Sequence, residues 1–192
     1  MQALPAGAAP APQRQMLVGV SLAVVAMIMI TGSMLAVWSL QRTRAIDEIG
    51  SWLPDGVTIP EVATNVMLLA FVGICVFAQW AVYSAKRADH GHATFALAST
   101  AFVAVLVINA QAFVYQEMGL GISDGTYAAM FYGVTGLFMV LMIIGVVFSA
   151  VTAFRYMGGR VHDHEIVAAH AIYWYATAAV FAAIWFVVYV TK

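Results

Sequence analysis

Charged side chains are confined to short segments that separate five long uncharged stretches of the chain. The uncharged stretches are 17–41, 62–85, 93–116, 125–154 and 166–191. Each is longer than the roughly 20 residues that an α-helix needs to cross about 30 Å of hydrocarbon. A backbone in lipid must satisfy its own hydrogen bonds, and these stretches lack the alternation typical of barrel strands. The pattern therefore predicts an all-α fold, a polytopic membrane bundle of five transmembrane helices.

We expect one five-helix transmembrane domain over 16–192, with a mobile arm of alanine and proline at 1–15. The predicted spans are 16–40, 62–84, 93–116, 126–154 and 166–190. Pro54 and Pro60 fall in the first interhelical loop, so no span should carry a proline kink. The first apolar run has about 24 residues, against roughly 7–15 in a signal peptide, so we expect it to be retained.

Lysine and arginine are distributed unequally over the two sides of such a bundle. One side holds Arg14, Lys86, Arg87, Arg155 and Arg160. The other side holds Arg42, Arg44 and Lys192. Because positively charged loops favour the cytoplasm, this bias predicts a cytoplasmic N-terminus and an external C-terminus in the cell membrane.

The composition excludes several classes of protein. Hydrophobic residues make up 64% of the chain and charged residues 9%, whereas soluble domains average roughly 45–50% and 25%. Eight basic residues against nine acidic ones give 8 − 9 = −1, and no basic stretch is present to neutralise nucleic-acid phosphates. One cysteine, Cys75, is too few for an intrachain disulfide or a cysteine-based metal site.

Small and polar residues mark the expected helix contacts, because helices in lipid associate through close backbone approach and polar bonds. The small-residue faces comprise Gly133, Gly136 and Gly145 on the fourth span, and Ala178, Ala179, Ala182 and Ala183 on the fifth. Side-chain amides at membrane depth are Asn65, Gln79, Asn109 and Gln111. We expect them to face protein, either as interhelical hydrogen bonds or as part of a proton path. Aromatic residues near the span ends, among them Trp38, Trp52 and Tyr127, are interpreted as an anchoring belt.

The spans offer little redox or transport chemistry. A membrane haem of the b type needs two imidazoles inside the spans, and only His170 lies within one. A three-histidine copper site in the bilayer fails for the same reason. The spans contain no Asp, Glu, Lys or Arg, which argues against a transporter or proton pump built from this chain alone.

Two loops on the same predicted side are rich in histidine. His90 and His92 lie in one, and His162 and His164 lie in the other. Imidazole and carboxylate are ligands that Zn²⁺ and Cu²⁺ accept, so a metal site is one interpretation. Ordinary polar loops beside lipid headgroups are the other, and Asp163 or Glu165 would equally suit the start of the fifth helix.

A series of short motifs follows in order along the chain. Trp52-Leu53-Pro54 comes after the first span, and Gln111-Ala112-Phe113 closes the third. Ile122 to Tyr127 leads into Phe131-Tyr132 and Thr135-Gly136. The fifth span carries His164, Tyr173-Trp174 and Val188-Tyr189. In order and spacing these motifs resemble subunit III of the haem–copper cytochrome c oxidases over most of 16–192, in the short five-helix form common in actinobacteria.

The chain departs from that family at several polar positions. Where the family has histidine, glutamate or aspartate, this sequence has Ala26, Val114, Phe138, Leu141, Tyr175 and Ala178. Because unpaired polar groups are costly in lipid, their joint replacement suggests that packing has replaced a polar network.

The resemblance implies a non-catalytic subunit of an aerobic terminal oxidase. Such a subunit binds no cofactor itself, contacts the haem- and copper-bearing subunit I, holds phospholipids and supports proton uptake. Candidate contact residues are Gly133, Gly136, Asn109, Gln111 and the ridge 178–183. Membership of a supercomplex with cytochrome bc is left open. The alternatives are a small metal-handling membrane protein that uses the loop histidines, or a lone membrane protein with a small-molecule substrate.

Overall fold

The computed structural model describes residues 14–159 and 164–191, and within them it contains five long helices. Their bounds are Gln15–Ile49 (α1), Glu61–Lys86 (α2), His90–Met118 (α3), Thr126–Met157 (α4) and His164–Ile184 (α5). Each is long and apolar enough to cross a membrane. The all-α prediction of five transmembrane helices is therefore confirmed. The predicted arm, apart from Arg14 and Gln15, lies outside the described residues.

Helix α1 is longer than expected at its C-terminal end. It runs nine residues past the predicted end at Leu40, through Arg42 and Arg44, to Ile49. Gly50 then takes a left-handed conformation, with φ of 78°, and its N–H bonds to the carbonyl of Ile46. Glycine adopts this conformation without a steric penalty, which is why the helix ends there.

Helix α5 lies at the centre of the bundle and α1 at its edge. α5 packs against α1, α2 and α4, while α3 packs against α2 and α4. Half of the most apolar window of α5 is buried (50%), compared with 17% for α1. The middle of the core is aromatic: Phe138 lies 4.8 Å from Phe181 and 6.1 Å from Phe71 between ring centroids. The end of the bundle that holds residues 50–60 and 119–125 is called the outer end below, after the predicted orientation.

Two polar contacts join the ends of α1 to α5. Near the start of α1, the backbone N–H of Leu17 donates to Glu165 Oε1 at 2.9 Å. At the other end, Arg42 Nη2 donates to the carbonyl oxygen of Thr191 at 2.6 Å. The carboxylate meets a helix N-terminus and the guanidinium meets a helix C-terminus, so both contacts complement helix dipoles.

The last turns of the described chain are π-helical. After Ile184, residues Trp185–Val190 form a six-residue π-helix. Within this segment the indole Nε1 of Trp185 donates to Asn65 Oδ1 of α2 at 3.0 Å. Tyr189 of the same segment is buried at the outer end, beside the candidate site.

Candidate functional site

An aromatic cluster fills the outer end of the bundle. Trp38 of α1, Trp52 of the first loop and Tyr127 of α4 form a mutual triangle, with ring centroids 5.2–5.5 Å apart. Their interplanar angles of 61–89° are the edge-to-face arrangement that aromatic quadrupoles favour. Tyr127 also stacks on Phe131 at 6.1 Å, and Phe131 meets Tyr189 at 6.2 Å. We call these five residues the outer aromatic cluster.

Hydrogen bonds join the outer aromatic cluster to α3. The hydroxyl of Tyr189 donates to Gln111 Oε1 at 3.0 Å, and both residues are almost completely buried. Nearby, the Tyr115 hydroxyl donates to Thr135 Oγ1 at 2.9 Å. Gln111 thus faces protein as predicted, and it serves as an interhelical hydrogen bond.

The outer aromatic cluster borders a cleft of about 450 Å³. Trp52 and Tyr127 lie on its wall, with Arg44 and Glu48 from the extended part of α1. Three buried polar atoms of the cluster lack a hydrogen-bond partner in the described structure: Trp38 Nε1, Trp52 Nε1 and the Tyr127 hydroxyl. Trp38, Trp52 and Tyr127, which were predicted to anchor the chain in the headgroup region, are therefore core residues: they are buried and pack against one another.

A second polar group lies between α4 and α5 near the opposite end. The indole Nε1 of Trp174 donates to Ser149 Oγ and to His170 Nε2, each at 3.0 Å. Ser149 Oγ lies 2.8 Å from the same imidazole nitrogen. Because an indole N–H only donates, Nε2 of His170 acts as an acceptor here, while its Nδ1 has no hydrogen-bond partner among the described residues.

Gly145 allows this second group to form. A Cβ atom at this position would lie 2.8 Å from Cζ2 and Cη2 of Trp174 and 2.9 Å from Cε1 of Tyr173. Both rings are buried, and the Tyr173 hydroxyl is fixed by a bond to the carbonyl of Leu141 at 2.6 Å. The absence of a side chain at Gly145 therefore sets the close approach of α4 to α5.

Three histidines predicted to lie in loops instead lie in the first turns of helices, His90 and His92 in α3 and His164 in α5, and they occupy separate surroundings. His92 Nδ1 lies 2.7 Å from Asp89 Oδ2, while the ring of His90 packs beside Tyr156 at 5.6 Å. Asp89 caps α3, and the backbone N–H of His92, with its side chain, lowers the pKa of that carboxyl. His164 is exposed at the start of α5, and His162 lies outside the described residues. Among residues 14–159 and 164–191, no three His, Cys, Asp or Glu side chains are placed to hold a metal ion. The four-histidine site remains a prediction, since one of its members lies outside this range.

The other predicted contact residues are distributed over the bundle surface. Gly133 is exposed opposite Met34, and Gly136 is partly buried. On α5, Ala178 is partly buried, whereas Ala179, Ala182 and Ala183 are exposed. Asn109 is also exposed, and its Nδ2 donates to the carbonyl of Val105 in its own helix. Within residues 14–159 and 164–191 it therefore makes no interhelical bond of the predicted kind.

The positions where polar residues of the resembled family are replaced behave in two ways. Phe138 and Val114 are buried in the core, as expected if packing replaces a polar network. Tyr175 instead remains polar, since its hydroxyl donates to Gln79 Oε1 at 2.6 Å. The replacement at Tyr175 therefore keeps a polar contact between α5 and α2.

Comparison with known proteins places this geometry in a family. The family model described as cytochrome c oxidase subunit III matches residues 7–192. The chain belongs to the cytochrome c oxidase subunit III family. The motif residues that carried the resemblance, Trp52, Gln111, Tyr127, Phe131 and Tyr189, are separated in sequence but meet at the outer aromatic cluster and its hydrogen bonds.

Curated relatives from animals, algae and plants agree with this assignment. The chain is 28% identical to cytochrome c oxidase subunit 3 of Bos mutus grunniens over 173 residues, covering 86% of this chain and 65% of that protein. It is 30% identical to the proteins of the same name from Prototheca wickerhamii and Marchantia polymorpha over 135 residues, 67% of this chain and 50% of each relative. The chain thus spans between half and two thirds of these relatives' length.

Two features of the site were missed from the sequence. Trp38 was assigned to the membrane surface, yet it continues the buried stripe Met27, Thr31 and Leu35 at helical spacing. That spacing was the available signal. The group formed by Ser149, His170 and Trp174 has no comparable signal, because it depends on how α4 and α5 are aligned.

Proposed function

We propose that the chain is a non-catalytic membrane subunit of an aerobic cytochrome c oxidase, bound to the subunit that carries haem and copper. The observation that carries this proposal is the meeting of the family's motif residues in one buried cluster, built from α1, the first loop, α4 and α5. The cluster contains no histidine, and in this proposal its role is to set the shape of the bundle. Within the described residues His170 is the one buried histidine, and its Nε2 already accepts from Trp174, which supports placing haem and copper in partner subunits.

The test is purification of the tagged chain from its native membrane in mild detergent. We expect a haem-containing subunit to accompany it, visible in a reduced-minus-oxidised spectrum, together with phospholipid. Cytochrome bc in the same sample would add a supercomplex. Recovery of the chain alone, or with haem bound to the chain itself, would contradict the proposal.

We further propose that the subunit supports proton uptake and protects the oxidase during turnover. The five uncharged stretches contain no Asp, Glu, Lys or Arg, so the effect would come from holding the partner and its lipids in place rather than from relaying protons. Oxidase isolated without the chain should lose activity progressively during sustained oxygen reduction, and added chain should restore it. Equal rates and lifetimes with and without the chain would refute this role while leaving membership of the complex intact.

The proposed orientation is an N-terminus in the cytoplasm. In a Cys75→Ala background, a cysteine replacing Asp55 should react with an impermeant thiol reagent from outside intact cells. A cysteine replacing Arg87 should react only after the cells are opened. The reverse pattern would show the opposite topology.

A further inference from the structure

The cleft beside the outer aromatic cluster is bordered largely by residues that lie beyond the membrane spans. Arg44 and Glu48 come from the part of α1 that continues past Leu40, while Asp124 and Thr126 come from the start of α4. From Leu40 to Glu48 the helix rises by about 12 Å. A water-soluble molecule can therefore reach this cleft from the aqueous side of the outer end.

Two buried donors on the wall of the cleft lack an acceptor. Trp52 and Tyr127 are 7% and 4% exposed, and both border the cleft. In residues 14–159 and 164–191, neither Trp52 Nε1 nor the Tyr127 hydroxyl has a hydrogen-bond partner. Buried polar groups in folded proteins are nearly always hydrogen-bonded. Because an indole N–H only donates, these two groups favour a ligand with acceptor oxygens.

The start of α4 and the side chain of Arg44 add positive charge to the same cleft. Gly125 gives α4 no side-chain cap, and the first turn contains no acidic residue. The first N–H groups of a helix have no partner within it and carry the positive end of its dipole. Arg44 makes no hydrogen bond or ion pair with another described residue, whereas Arg42 bonds to the carbonyl of Thr191. Phosphate or carboxylate oxygens suit such a set of donors.

Two carboxylates on the wall restrict the ligand further. Asp124 Oδ2 accepts the backbone N–H of Gly121 at 2.6 Å. Glu48 lies one turn from Arg44 on the same face of α1, yet the two form no ion pair with each other or with the rest of the described chain. Both carboxylates would repel a simple anion. An ammonium group on the ligand, beside its anionic group, replaces that repulsion with attraction.

We propose that this cleft binds a small water-soluble zwitterion. Its phosphate or carboxylate oxygens accept hydrogen bonds from Arg44, Trp52 and Tyr127. Its primary ammonium group donates to Glu48 and Asp124. Phosphoethanolamine carries both kinds of group and is the probe used below. The site belongs to the chain itself, so the proposal does not rest on membership of an oxidase.

The test is calorimetric titration of the full chain, purified in maltoside micelles, with phosphoethanolamine. We expect saturable binding that Arg44→Gln weakens about tenfold and Trp52→Phe about threefold, because each variant loses a donor to the anionic group. Glu48→Gln should weaken this binding about threefold but strengthen binding of inorganic phosphate. Absence of saturable binding, or tighter binding of phosphoethanolamine to Glu48→Gln, would overturn the proposal.

Two variants are matched controls. Trp38→Phe removes an equally unpartnered indole N–H from the same cluster, but Trp38 does not border the cleft. Lys86→Gln removes a cation at the opposite end of the bundle. Both should leave the dissociation constant of phosphoethanolamine unchanged, and equal weakening by Trp38→Phe and Trp52→Phe would contradict the assigned contact. Circular dichroism checks that each variant folds, and Glu48→Gln, at an exposed position, keeps the test decisive if Trp52→Phe does not.

A second experiment separates a free zwitterion from a lipid headgroup with the same groups. The chain is placed in nanodiscs that contain phosphatidylethanolamine or only phosphatidylcholine, whose quaternary ammonium has no N–H to donate. Free phosphoethanolamine should bind equally in both. Binding that phosphatidylethanolamine abolishes would assign the cleft to a lipid headgroup and overturn the proposal. Neither experiment measures haem, so failure here leaves the oxidase assignment intact, and a chain that purifies without haem leaves this site intact.

Discussion

The contact between Gly145 and Trp174 gives the sharpest test of how this bundle is built. Gly145→Ala places a methyl group 2.8 Å from two atoms of the Trp174 ring, well inside the usual carbon–carbon separation of about 3.5–4.0 Å. The indole cannot rotate away freely, because it is fully buried and its N–H is bonded to Ser149 and His170. Either α4 and α5 separate or the indole leaves its hydrogen bonds.

The expected cost follows from these two responses. Overpacking a core typically costs about 1–3 kcal/mol, and losing a buried hydrogen bond adds about 0.5–1.5 kcal/mol. We therefore expect Gly145→Ala to lower the free energy of unfolding by about 1.5–4.5 kcal/mol if both responses occur. At about 1.4 kcal/mol per tenfold, the ratio of folded to unfolded chain falls by roughly one to three orders of magnitude.

The measurement is unfolding of the purified chain in mixed micelles with increasing sodium dodecyl sulfate, followed by Trp fluorescence and circular dichroism. Gly136→Ala is the matched control on the same helix, because a Cβ there meets no atom within 4 Å. It should be neutral, or more stable by up to about 1 kcal/mol from helix propensity. Combining Gly145→Ala with Trp174→Phe, which removes the two clashing Trp174 atoms and leaves only the 2.9 Å contact with Tyr173, should cost less than the sum of the single changes. Equal stability of the two glycine variants would refute the close-approach argument.

Three further predictions test other contacts. Tyr189→Phe leaves the buried oxygen of Gln111 without its donor at 3.0 Å, so the free energy of unfolding should fall by about 1–3 kcal/mol. Adding Gln111→Leu should recover most of that free energy. Additive losses from the two substitutions would argue against this hydrogen-bonded pair. Asp89→Ala should speed amide hydrogen exchange in the first turn of α3, because Asp89 caps this helix through the backbone N–H of His92. The pKa of Asp89 is lowered in the folded chain, so its stabilising contribution is present above the ordinary carboxyl pKa and disappears as the pH falls through the lowered pKa. Exchange protection that does not change with pH would contradict this prediction. Since His90 and His92 have separate neighbours, elemental analysis of the chain after a chelator wash should find no stoichiometric zinc or copper. One metal ion per chain that is lost in the His90→Ala and His164→Ala variants would show that the metal-handling alternative is correct.

The five helices were predictable because the bilayer imposes a length and an absence of charge on each span. The end of α1 was not, because its charges mark where lipid stops rather than where the helix stops. The backbone remains helical through Arg42 and Arg44 until Gly50 allows a left-handed turn. A glycine following a run of helix-forming residues was the better signal for this boundary.

Helical periodicity would have placed Trp38 in the core, but a tryptophan near a span end was assigned to the interface by composition alone. Conversely, the amides at membrane depth could be recognised without knowing their partners. Gln111 is buried, Gln79 and Asn65 bond across a seam, and Asn109 bonds within its own helix. Whether an amide is buried, bonds to another helix or bonds within its own helix depends on how that helix is rotated about its axis. A span of nearly uniform hydropathy does not indicate this rotation.

The contacts at the two ends of α1 have a consequence for assembly. Leu17 and Glu165 are separated by 148 residues, and Arg42 and Thr191 by 149. During synthesis α1 enters the membrane long before either partner has left the ribosome. Until α5 is inserted, the backbone N–H of Leu17 lacks the Glu165 carboxylate and Arg42 lacks its bond to the Thr191 carbonyl, so water, headgroups or an insertion factor must stand in for these two contacts. Closure of the bundle is therefore a late event in biogenesis, and α1 is the helix that a membrane chaperone would need to hold during that delay.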